Sequence, residues 1–302
     1  LSNISVGVKD LIGAFGLTLG ITAFVAGLKD AFKTINQFEQ SIANLSAITG
    51  ASGKDLAFLR NSAIEMGQGV KVGAKEVAEA YALIASAKPE LLENVQALNQ
   101  VTAAVITLSQ ASGLELPNAA KSLSDALNQF GAGADEASKF VDVLAAAAKF
   151  GAAEIPSLTE AILRFGAVAK STNVSIQESA ALVELLAENG LKGAKAGTAL
   201  RNILLKISAP DALPRRAREA IEQLGISMET LKDKTIPVQE KLEALKPLLK
   251  DNANVVKVFG LENSVAALNI LSHTERLADL TEKVDQNGIA LEQAALRTDT
   301  II

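Results

Sequence analysis

The sequence predicts an all-α fold, with many short helices in stacked hairpins, an apolar N-terminal helix and no sheet. Three observations carry this. The apolar content is 49%, yet aromatic residues make up only 4% and tryptophan is absent, so the chain is rich in alanine and leucine, which lose little on entering a helix. Apolar residues recur at three- and four-residue spacing through most of the 302 positions. Glycines and prolines then punctuate these stretches at helix-length intervals.

The N-terminal segment comes first. Leu11 to Leu28 reads LIGAFGLTLGITAFVAGL, eighteen residues without a charge between Asp10 and Lys29. As a helix it would span about 27 Å, close to the hydrocarbon thickness of a bilayer. Gly16 and Gly20 are four apart, with Gly13 and Gly27 nearby and Phe24 on the same run, so the segment is a candidate membrane or oligomer helix. Burial inside an oligomer and insertion into a membrane both fit. Ile35, Phe38, Ile42, Leu45 and Thr49 follow with Phe32 and Ile48 beside them, a stripe suited to a coiled-coil-like seam. Residues 1–50 are therefore read as one helical segment and 51–302 as a helical core domain.

Beyond Ser52 the hydroxyl-to-carboxylate spacings Ser52–Asp55, Ser157–Glu160 and Ser175–Glu178 read as capping boxes. Gly67, Gly113, Gly131, Gly151, Gly190, Gly225 and Gly260 follow periodic stretches as C-terminal caps do, and Pro89, Pro117, Pro156, Pro214 and Pro237 sit near helix starts. VTAAVITLS has strand propensity, but it lies within Glu90 to Ser112, whose leucines and valines keep helical spacing. Ten to twelve helices of about 10 to 20 residues result. Phe130, Phe150, Phe165 and Phe259 each precede a glycine, as rings anchoring helix ends in a core.

Little chemistry is indicated. No cysteine is present and His273 is the single histidine, which excludes thiolate catalysis and cysteine or multi-histidine metal sites and leaves little basis for a Ser/His/Asp triad. His273 reads as a helix-surface residue. The net charge of −5 is spread along the chain and argues against general nucleic-acid affinity, while PRRAR at Pro214 to Arg218 reads as a solvated helix start. GLKGAKAGTALRNIL, Gly190 to Leu204, evokes a phosphate cradle, but no lysine stands between Gly197 and Thr198 and no strand precedes it. It reads instead as a structural turn: Gly190 and Gly193 close one helix and open a corner, Gly197 permits close approach, and the next helix begins at Thr198. Glu184 and Glu188, the carboxylates considered for glycoside hydrolysis, have the i, i+4 spacing of a solvated face. No cofactor or metal is expected.

Five stretches resemble, in order, the core region of tail tape measure proteins of long-tailed bacteriophages and prophages. They are FEQSIANLSAITGASGKDLAFLRNSAIEMG, VGAKEVAEAYALIASA, NQFGAGADEASKFVDVLAAAA, NGLKGAKAGTALRNILLKIS and VFGLENSVAALNIL. The resemblance covers Phe38 to Asp299. Its most specific element is Gly190 to Arg201, and it departs from the family pattern at ASAKPELLENV, Ala85 to Val95. The resemblance implies a non-enzymatic virion protein in the lumen of the tail tube that helps set tail length and assists DNA delivery. It implies a homo-oligomer, trimer or hexamer, with tube, tail-tip or baseplate hub and assembly-chaperone proteins as partners. It further implies residence in the host cytoplasm during assembly, contact with the host inner membrane during infection and sequence-independent contact with the phage DNA end. A membrane-inserting pore former and a cell-wall hydrolase are the alternatives.

Overall fold

The computed structural model describes residues 18–68 and 72–299, and among them there are helices and no strand. Sixteen α-helices are present, more than the spacing predicts, because prolines and glycines after position 209 cut the C-terminal third into pieces as short as five residues. Two compact units divide between Ala82 and Leu83, and the first of them takes in more than the segment 1–50 marked out by composition.

In the first unit, α1 (Thr18–Thr49), α2 (Gly53–Gln68) and the start of α3 (Ala74–Ala87) carry a small core. Phe38, Ile42 and Leu45 of the N-terminal stripe are buried, as are Leu59 and Ala63 of α2. Arg60 lies 5.6 Å over the Phe38 ring and 2.5 Å from Glu39, and the Tyr81 hydroxyl bonds to Ser62. At Gly50, φ +70°, the chain reverses, with the Thr49 hydroxyl accepting the Ala51 N–H at 3.1 Å. The α1 helix has 32 residues and α2 has 16, about 48 and 24 Å, so α2 can accompany only half of α1. Phe32 and Ile35, upstream of the buried part of the stripe, are 60% and 54% exposed.

In the second unit the helices are α4 (Val95–Ser112), α5 (Leu116–Phe130), α6 (Ala137–Phe150), α7 (Ile155–Ser171), α8 (Ile176–Glu188), α9 (Gly193–Ser208), α10 (Arg215–Gln223), α11 (Met228–Lys232), α12 (Val238–Leu245), α13 (Asn252–Phe259), α14 (Leu261–Ser272), α15 (Thr274–Val284) and α16 (Ile289–Asp299). Helix α7 packs against α9 and α5, α4 against α5, α6 and α16, α15 against α6 and α8, and α13 and α14 against α10 and α9. The stretch read as one helix from Glu90 breaks at Asn94, whose side chain accepts the Ala97 N–H and starts α4 there. Ser175 and Glu178 form the expected reciprocal box, whereas Ser157 lies inside α7, which Pro156 has already opened at Ile155. Phe130, Phe165 and Phe259 are buried; Phe150 is half-buried, with the Lys149 ammonium 5.3 Å over its ring.

Two long-range polar fastenings hold loops that periodicity could not connect. Asp142 of α6 accepts the Gly288 and Ala290 N–H groups at 2.8 and 3.0 Å and so caps α16 from almost 150 residues away. Lys88, in the departing stretch Ala85 to Val95, is buried, donating to Asn128 Oδ1 at 3.0 Å and the Ala132 carbonyl at 3.2 Å and pairing with Glu90 at 2.6 Å. The Asn128 amide in turn donates to the Ala87 carbonyl at 2.9 Å. Lys88→Met keeps the apolar stem and removes three donors, leaving the Ala132 carbonyl buried without its partner. A loss of about 1–3 kcal/mol in urea unfolding is expected, and an unchanged midpoint would show that this junction is dispensable.

Candidate functional site

The corner between α8 and α9 contains the residues singled out in the sequence. Helix α8 ends in a paired reversal: the Leu191 N–H donates to the Leu186 carbonyl at 2.9 Å and Gly190, φ +82°, to that of Ala187 at 3.0 Å. That pattern needs the left-handed conformation that glycine takes at least cost. Helix α9 then opens at Gly193, five residues before the expected start at Thr198. The glycines at 193 and 197 lower intrinsic helix propensity by about 1 kcal/mol each relative to alanine, but tertiary packing along α7 decides the boundary.

Gly197 faces α7, where a Cβ would overlap the Ala161 carbonyl oxygen and fall 2.8 Å from Arg164 Cβ. On the other side of α7, a Cβ at Gly166 would fall 2.7 Å from Gln129 Cβ of α5, and the Gln129 side chain accepts the Ala167 N–H at 3.3 Å. Two glycines thus let three helices approach within ordinary side-chain dimensions. Thr198 points into the neighbouring groove with α14, lined also by Lys195, Asn202 and Arg164. Lys206 donates to the Phe259 carbonyl at 2.5 Å, and Arg201 is exposed. Gly197→Val should cost several kcal/mol, roughly 3 or more, because backbone as well as side chain must shift. Thermal unfolding of the variant checks this, and a melting temperature equal to that of the parent would refute the close-approach assignment.

Glu184 contradicts its reading as part of a solvated face. It is 0% exposed, because α6, α7 and α15 cover the side of α8 that carries it. Its Oε2 accepts the Ala153 N–H at 2.7 Å and fills the space a Cβ at Gly151 would need, while Oε1 has no partner among the described residues. Lys192 closes the same loop by donating to the Ala152 carbonyl at 2.6 Å. Burial pushes the Glu184 carboxyl up to about 7, with the nearby Glu188 adding to the rise and Lys192 and the loop amides opposing it. Glu188 is exposed and pairs with Arg276 at 2.5 Å, so of the two carboxylates it alone lies on a solvated face. His273 is exposed at the end of α14, its ring nitrogen 2.8 Å from the Asn269 carbonyl. No group of three His, Asp or Glu among the described residues is arranged to hold a metal.

Because the folded state holds the Glu184 proton more tightly than the unfolded chain, this group's stabilisation is full below pH 4.5 and is lost as pH rises to about 7. The step is of the order of 3 kcal/mol at about 1.4 kcal/mol per pKa unit. The lowered carboxylates Glu90, Asp233, Glu243 and Asp279 act in the opposite direction and below that window. Glu184→Gln should therefore gain stability relative to the parent between pH 4.5 and pH 8; denaturation curves giving the same difference at both would contradict the assignment.

Of the N-terminal candidates, Gly13 and Gly16 lie outside the described residues, and Gly20 and Phe24 fall within α1. No single helix among the described residues is long and apolar enough to cross a membrane; α13 and α14 reach that threshold only as a pair bent by 119°.

The described residues form an alanine-dense, glycine-clamped assembly of the all-α class, with buried polar groups fastening its loops. The family described as phage-related minor tail protein matches residues 60–290, and the chain belongs to it. It is 29% identical over 95% of its length to the tape measure protein of Pneumococcus phage Dp-1, covering 25% of that protein. It is 26% identical over 96% of its length to the probable tape measure protein of Escherichia phage P2, covering 35% of that protein. The chain thus spans about a quarter to a third of these relatives, and the resemblance read from the five stretches is borne out. No solved structure matches it significantly.

Proposed function

We propose that this chain is the folded helical section of a tape measure protein. In this reading it resides in the tail-tube lumen, associates with copies of itself, contributes to setting tail length and assists DNA delivery without acting as an enzyme. Family membership supports the structural role in a phage tail. The observation that carries self-association is the uncovered apolar face of α1, where Phe32 and Ile35 continue the stripe beyond its buried part and lead back into the charge-free run. An exposed stripe of this kind lowers its free energy by packing against an equivalent helix. Frequent helix stops make the section a folded block, and a measuring rod would lie elsewhere in a longer protein.

A second reading, insertion of Leu11 to Leu28 into a membrane, rests on the length of that run and can coexist with the first. Native mass measurement on the chain tests the association: three or six copies are expected, reduced to one by Phe32→Ser with Ile35→Ser. A monomer at micromolar concentration would overturn it. Leakage of lipid vesicles that disappears on deletion of Leu11 to Leu28 would favour the second reading.

A further inference from the structure

We infer that the groove between α9 and α14 is a docking surface for an acidic amphipathic helix of a partner protein. The groove encloses about 540 Å³. Ala194, Ala199 and Ala266 give it a small apolar lining, Val265 of α14 lines it at 66% exposure, and Leu261, one turn earlier on the same helix and just outside the lining, is 76% exposed. These two are four apart, and the half-buried Leu268 extends the same line by one turn. Leu205 of α9, outside the lining and two turns beyond Thr198 along the helix, is also exposed. Exposed aliphatic side chains at helical spacing on α14, in and just beyond the groove, and on α9 beyond it fit a helix laid along the groove and past its end, with leucine-like residues at i, i+3/i+4 and i+7.

Charge decides the rest. Arg164 and Lys195 line the groove and are exposed, and Arg201 lies one turn beyond Thr198 on α9; among the described residues none of the three has an ion-pair partner. Glu262 is the carboxylate on the groove wall, and it is turned onto Lys206 at 3.8 Å and the Asn263 amide at 2.8 Å. Asn263 is itself engaged, donating to the Phe259 carbonyl and accepting from Asn202 at 3.2 Å. In a chain of net charge −5 this is a local site of the opposite sign, where a carboxylate-bearing helix gains attraction that the rest of the surface denies it. A nucleic acid would satisfy the cations and leave Leu261 and Val265 uncovered.

Three labelled peptides of about four turns and a short DNA duplex test this by fluorescence anisotropy against the full chain. One peptide carries leucine on one face and glutamate on its flanks, a second replaces each glutamate by lysine, and a third replaces each leucine by serine. Binding is expected for the first alone, weakening with added salt. The surface variants Arg164→Glu with Lys195→Glu, and Leu261→Ser with Val265→Ser, should each weaken it about tenfold or more while leaving the melting temperature unchanged. Failure of the acidic peptide to bind, equal binding of the basic peptide or the duplex, or no response to either pair of substitutions would overturn the proposal. So would a loss of self-association in these variants, because a second copy would then be the occupant. The variants leave Phe32 and Ile35 intact, so failure here is separable from failure of the oligomer reading.

Discussion

The closeness of α7 to its two neighbours is the constraint on which the larger unit depends. Where Gly197 meets Ala161 and Gly166 meets Gln129, no side-chain volume separates the helices, and the positions around them must be small: Ala161, Ala169, Ala196 and Ala199 are all buried. This explains the composition. Helices brought so near fill their interface with methyl groups, so a core of useful density requires many alanines and few rings. Each buried alanine contributes little transfer free energy, and the fold compensates by packing many helices together. Leucines such as Leu98, Leu123, Leu144 and Leu186 are fully buried as well and supply the larger apolar volumes of the core.

Short helices create many ends, and every end exposes backbone groups that burial would leave unpaired. The polar side chains of the second unit are arranged around that demand. Asp142 satisfies the start of α16, Glu184 and Lys192 hold the loop between α6 and α7, Lys88 secures the turn after α5, and Lys206 takes the carbonyl at the end of α13. Each of these charged groups thereby takes the place of a backbone partner that a longer helix would have supplied.

Local patterns were legible in the sequence and long-range pairings were not. The Ser175–Glu178 box and the left-handed turn at Gly190 depend on residues within a few positions of each other, and the sequence spelled them out. The start of α9 was misplaced because Gly193 and Gly197 have poor helix propensity, and only the packing partner on α7, some 30 residues upstream, makes the helix worthwhile there. Glu184 was read as solvated because its i, i+4 relation to Glu188 carries no information about what covers α8. Its one trace in the sequence is Gly151, read there as a helix cap: in the structure it has φ −112°, a conformation any residue adopts, and its glycine is required by the carboxyl lying where a side chain would be. Lys88 left a similar trace, standing where the chain departs from the family pattern.

The same stops bear on length. Spread as one helix, the roughly 220 residues of the second unit would reach about 330 Å, whereas a compact domain of that size has a radius of gyration near 17 Å, about 45 Å across. Residues in this unit therefore add length at a small fraction of the rate that residues in a continuous helix do. Inserting or deleting a helical hairpin here would change the extent of the unit very little, while the same number of residues in a continuous helix would change its length in direct proportion. In the first unit α1 alone is built to extend: 32 residues without a stop, about 48 Å, with half its length beyond the reach of α2. An apolar face in water gains stability when something covers it, so on the element with the geometry of a rod the exposed Phe32 and Ile35 are the positions where cover would count most.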